Sequence, residues 1–246
     1  MRMTYANRWW LALAIVVAAF LAFSLPPYLT VDPSRSRVPA TFGLHYPLLV
    51  AHVALATVAI VAALVQIWPG VRARWPRVHR NTGGVYVAAA LPAAATGMVI
   101  GAATPFGPFL AVGSVALAAL WLWFTVNGYL AARRRHFADH RRHMLRSVTL
   151  AFSIITNRIW NPILYITLQP LRDSIFGGDE ERFIWLVAGL SGWLGWTIPL
   201  LAMQWWLSRG RDVAPSSVSQ PPDTLRVYVR GAVVADGAIH RRDEAR

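Results

Sequence analysis

An all-α, polytopic membrane protein, with six transmembrane helices around a four-helix core, is the architecture that this sequence predicts. Three observations lead there. Hydrophobic residues make up 56% of the 246 and the mean hydropathy is +0.42, which is too apolar for a soluble domain. Apolar runs recur at about the 20-residue length that a bilayer crossing requires. Charge is confined almost entirely to the segments between those runs.

The first run, Trp9 to Leu29, follows Arg2 and Arg8 and ends at Pro26-Pro27. Ala22-Phe23-Ser24 loosely resembles a signal-peptide cleavage site, but the run is long for a signal h-region and reads as an uncleaved helix. An outer loop to Gly43 follows. The second span, Leu44 to Trp68, carries His45, His52 and Gln66, with Ala56, Ala59 and Ala63 as a stripe of small residues that lets another helix approach closely. The basic turn Arg72, Arg74, Arg77, Arg80 leads into the third span, Thr82 to Ala102, whose Gly97 and Gly101 form a packing pair. The fourth, Phe109 to Ala131, is rich in aromatic residues.

The fifth span runs out of an arginine and histidine burst at Arg133 and ends near Leu168. In a helix from His140, each residue turns by about 100°. His143, Met144, Ser147, Ala151, Ile154, Arg158, Asn161 and Tyr165 then share one arc, a polar stripe across the membrane. The sixth span, Phe183 to Leu207, carries Gly189, Gly192 and Gly195, with tryptophans near both ends. Beyond it the chain is polar: Pro215 to Pro222 reads as a linker, and Leu225 to Val229 as a short strand. The organisation is therefore a first helix and outer loop (1–43), a four-helix core (44–169), an outer loop and sixth helix (170–207), and a cytoplasmic polar tail (208–246).

Sidedness follows from the arginines, which account for every basic residue. With the N-terminus inside, nineteen of the 24 fall on inner segments and four on outer loops, with Arg158 inside a span. The positive-inside bias selects six helices with both termini cytoplasmic. The net charge of +13 is thus a matter of topology and anionic phospholipid headgroups rather than nucleic acid. The absence of cysteine excludes disulfides, thiolate metal sites and cysteine nucleophiles. No catalytic motif, phosphate loop or dinucleotide fingerprint is present.

Two groups of residues are candidates for chemistry. Arg158 lies mid-span, where a charge is costly unless compensated, and all eleven acidic residues lie outside the apolar spans. It therefore calls for carbonyls, Asn157, Asn161, Tyr165, water, or an anionic or carbonyl-bearing ligand. His52 sits at a similar depth in the outer half, a level at which the two would share one pocket. His45 lies one heptad from His52 on the same face, so this pair cannot clamp one haem, and no other span offers a histidine at that level. The second group is at the inner rim. His136, His140 and His143 have spacings of four and three, beside His79 at the head of the third span, and imidazoles so spaced suit a metal ion or haem iron. The surrounding arginines oppose a bare cation and favour lipid phosphate.

His79-Arg80-Asn81-Thr82-Gly83-Gly84-Val85-Tyr86, followed by His140-Arg141-Arg142-His143-Met144-Leu145-Arg146-Ser147, resembles the motif pair HRxxGxxY and HxxxMxRS of the bacterial membrane-protein family DUF2306. His52 corresponds to the histidine in the helix before the first motif, and the resemblance covers Leu44 to Gln169. It implies a bacterial inner-membrane location and no particular activity. At fold level, a four-helix core with histidines near both faces is similar to cytochrome b561-type haem proteins. The expected function is that of an integral membrane protein that binds a haem or quinone through His52, Arg158, Asn161, Tyr165, His79 and His140. A transporter or channel for a small anionic solute, and a non-catalytic accessory protein within a homo-oligomer or membrane complex, are the alternatives.

Overall fold

The computed structural model describes residues 5–68 and 70–209, and within them the chain is helical with no strand. Residues 1–207 form one compact unit and 208–246 a second, of which Ser208 and Arg209 are described. The expected linker and short strand of the tail lie outside the described residues.

Eight α-helices follow in order. They are α1 (Tyr5–Ser24), α2 (Pro26–Leu29), α3 (His45–Gln66), α4 (Val71–Arg74), α5 (Pro76–Ala102), α6 (Pro108–Arg133), α7 (Phe137–Ser174) and α8 (Glu180–Arg209), with a 3₁₀ turn at Pro33–Arg35. Their starts carry ordinary signals. Proline opens α5 and α6, where its fixed φ suits the first turn and its missing N–H costs nothing. At the start of α8, Asp179 accepts the Arg182 amide at 3.1 Å, and Glu180 and Glu181 place negative charge in the first turn.

α3 packs on α5, α5 on α6 and α6 on α7, and α7 returns against α3. The result is a four-helix bundle of α3, α5, α6 and α7. Short connections join α5 to α6 and α6 to α7, so α5 and α7 run in the same direction and face one another diagonally. Small residues let the helices close up: Ala59, Ala63, Ala90 and Ala93 are fully buried. α1 joins through Trp10, whose indole nitrogen donates to the Leu64 carbonyl at 2.9 Å and whose ring stacks on Trp68.

Three boundaries differ from the sequence reading. α5 begins at Pro76, within the segment taken as a basic turn. The arginine burst does not run unbroken into the next span, because Arg135 has left-handed backbone (φ 62°) and the His136 amide folds back to the Ala131 carbonyl. α7 then continues to Ser174, past the expected end at Leu168. Four helices, α3, α5, α6 and α8, are long and apolar enough to cross a membrane. α1 has a shorter apolar stretch, Arg8–Ser24, and α7 is the polar one, interrupted by Arg158, Asn157 and Asn161.

Candidate functional site

The centre of the bundle holds a closed ring of hydrogen bonds. Tyr86 of α5 and Ser147 of α7 are completely buried, and their hydroxyl oxygens are 2.6 Å apart. Trp121 and Thr125 of α6 complete the set. The sense of each bond is fixed by chemistry. The Trp121 indole can only donate, and it does so to the Tyr86 oxygen at 3.1 Å. Thr125 donates to the Trp121 carbonyl at 2.7 Å, so its oxygen must accept from Ser147, 2.7 Å away. Ser147 has then spent its proton, and Tyr86 donates to Ser147. The ring begins and ends on Trp121, and every buried hydroxyl in it donates and accepts.

His79 precedes Tyr86 by seven residues, and His140 precedes Ser147 by seven. Seven residues are nearly two full helical turns, so each histidine returns to its partner's face about 10 Å along the axis. Because α5 and α7 run the same way, both histidines are displaced toward the same end, the one rich in arginine. His140 Nδ1 lies 2.8 Å from the Gly128 carbonyl of α6. A carbonyl only accepts, so Nδ1 carries the proton and Nε2 of the neutral ring keeps its lone pair. On the neighbouring helix end, Gln66 of α3 donates to the His79 carbonyl at 2.6 Å and to the Thr82 hydroxyl, which fixes the start of α5.

The remaining candidates are dispersed. His52 turns toward α5, with Nδ1 2.8 Å from the Ala93 carbonyl, in a space that Gly97 leaves open: a Cβ there would lie 2.8 Å from the imidazole. Arg158 is exposed on α7 and makes no hydrogen bond or ion pair among the described residues; no bond links it to His52. Asn161 donates to Ser191 at 3.3 Å and Tyr165 approaches Glu180 at 3.4 Å, so both face α8. The expected polar arc therefore divides. Ser147 and Ala151 enter the core, whereas no residue of α7 beyond Ser153 is buried. Among the described residues no three His, Asp or Glu side chains gather as metal ligands. His136 stands exposed at the N-cap position of α7 without a side-chain capping bond, and His143 packs against the Phe124 ring.

The family model for a predicted membrane protein matches residues 49–207, from α3 into α8. The chain belongs to the DUF2306 family. No curated protein and no solved structure matches it. For this DUF2306 chain the matched region includes the whole ring, α5, α6 and α7, and α3 from Leu49 onward.

Trp121 and Thr125 belong to neither motif of this DUF2306 protein, and the sequence places Ser147 only at the end of the second motif and on the polar arc. A usable signal exists nonetheless. The spacing H-x6-Y on one helix and H-x6-S on another places both pairs on matching faces, so one contact between Tyr86 and Ser147 predicts the level of the two histidines.

Proposed function

We propose that the protein is a six-span inner-membrane protein with both termini cytoplasmic, whose four-helix core holds a haem between His79 and His140 at the cytoplasmic end. The observation that carries this reading is the bond from His140 Nδ1 to the Gly128 carbonyl. Histidines that ligate metal commonly donate the other ring nitrogen in this way, which orients the ring and raises the basicity of Nε2. The diagonal placement of His79 one heptad from Tyr86 supplies a second imidazole at the same level.

The arginines support haem over a bare cation. Arg80 and Arg141 flank the two histidines in sequence, and guanidinium groups repel a metal ion but pair with carboxylates such as haem propionates. When bound, the haem supplies one-electron redox chemistry. The protein residues hold it: the ring above, with no unused donor, closes the site toward the rest of the bundle, and Gln66 holds the helix start that bears His79. Anionic phospholipid headgroups along the same rim complete the setting.

The full chain purified from cells supplied with haem precursor is expected to show a Soret band and the paired α and β bands of a bis-histidine iron. His79→Ala and His140→Ala should each remove that spectrum, whereas His52→Ala should leave it. A colourless wild-type protein, or a spectrum indifferent to both substitutions, would sink the reading.

A further inference from the structure

The arginine-rich ends of α6 and α7 meet at a glycine. The tight turn at Arg135 and His136 folds α7 back on α6, and Gly128, buried in α6, comes to the face of α7 that carries His140. His140 Nδ1 lies 2.8 Å from the Gly128 carbonyl. Glycine is required there for a reason of space. A Cβ at position 128 would lie 2.6 Å from Sδ and 3.1 Å from Cγ of Met144, and 3.3 Å from Cβ of His143. The thioether of Met144 therefore fills the volume that any side chain would need.

Met144 stands one turn beyond His140, and residues four apart on a helix share a face. With Met144 seated against Gly128, the imidazole of His140 meets the carbonyl. Ser147, almost a full turn further on, is anchored in the hydroxyl ring. Sliding α7 along α6 would take all three out of place together. The opposite face is braced as well: Nε and Nη2 of Arg146 both donate to Gln204 Oε1 of α8, at 2.9 and 2.7 Å. Methionine suits the gap, because an unbranched thioether reaches into a narrow space that a β-branched side chain would enter only with strain.

We propose that Gly128 and Met144 are positioning residues for His140, setting its tautomer and ring orientation in the protein before any haem arrives. The inference rests on the haem reading above and supplies the source of its preorganisation. Gly128 acts twice. Its carbonyl takes the Nδ1 proton, and its missing side chain admits Met144, which keeps α7 close enough for that bond to form. The lone pair left on Nε2 then points in one direction only. A ligand held in this way loses little orientational freedom on meeting iron, and partners that orient a ligating histidine are commonly worth about 10- to 100-fold in metal affinity.

Nitrogen NMR of the full-length protein with isotope-labelled histidine, purified in detergent without haem and held at mildly alkaline pH so that the ring is neutral, reads the tautomer directly; His140→Gln assigns the signal. The wild type is expected to hold the His140 proton on Nδ1. Gly128→Val should lower the proportion of that tautomer about tenfold and, once haem is supplied, weaken haem binding about tenfold or more. Gly128→Ala should do both to a smaller degree, and adding Met144→Ala to it should restore the Nδ1 tautomer by clearing space for the new methyl group. The pairing is overturned if wild-type His140 carries its proton on Nε2, if Gly128→Val leaves the tautomer as it was, or if the tautomer changes while haem affinity does not. A colourless wild type that shows the expected tautomer, and its loss in Gly128→Val, refutes the haem and leaves the positioning pair standing. Should Gly128→Val fold poorly, Gly128→Ala decides the matter with its Met144→Ala rescue; a Gly128→Ala tautomer identical to that of the wild type would overturn the pairing equally.

Discussion

The two halves of α7 share one helix and almost nothing else. From His140 to Ser153 its side chains enter the bundle: Ser147 is sealed in the hydroxyl ring, and Val148, Leu150, Ala151 and Ser153 are buried around it. From Ile154 to Ser174 no side chain is buried. Asn157 and Asn161 lie against α8, and Arg158 is exposed. In a bilayer a polar group must find its partner within the protein or in something bound to it. The first half answers that demand internally. The second leaves it to α8, which Asn157 and Asn161 meet, while Arg158 stays exposed.

Substitutions can break this contrast or sharpen it. Tyr86→Ala should have the largest effect, because it removes a fully buried aromatic ring, strands the Trp121 indole and takes from Ser147 the bond it accepts. A loss of about 3–5 kcal/mol is expected, as for other buried aromatic truncations, and denaturant titration of the folded protein in detergent would measure it. Gly195→Val comes next. A Cβ at Gly195 would lie 2.9–3.1 Å from the Cβ, Cα and backbone nitrogen of Asn157, so α8 must move away from α7. Overpacking of this kind costs about 1–3 kcal/mol, and the same titration should record it as a shift in midpoint. Arg158→Leu should have the smallest effect on stability, within about 0.5 kcal/mol, as expected for an exposed side chain outside any network. A loss for Arg158→Leu as large as that for Tyr86→Ala would mean that the outer half of α7 is packed after all, and the contrast would fall.

Much of the fold was legible because it rests on run length and on charge placement. The long helices α3, α5, α6 and α8 sit where the apolar runs lie, and proline at positions 76 and 108 marks two starts. The break at Arg135 was not legible, because arginine carries no preference for left-handed backbone; the turn is imposed by the return of α7 against α6. The site divided in the same way. His79, His140 and Tyr86 could be read as motif letters, but Thr125 and Trp121 belong to no motif, and only the packing of α6 between α5 and α7 brings them to Ser147. The polar arc failed for a related reason. Periodicity tells which residues share a face, whereas what that face meets changes along a helix of 38 residues, about 57 Å long and nearly twice the thickness of a hydrocarbon core.

The hydroxyl ring has one further consequence. An indole nitrogen cannot accept and a carbonyl cannot donate, so the protons of Tyr86, Ser147 and Thr125 have a single arrangement, and the circuit cannot be turned to run the other way. Proton hopping along hydroxyls needs that reversal after each passage. The ring is therefore closed to proton hopping, although it is built entirely of polar groups.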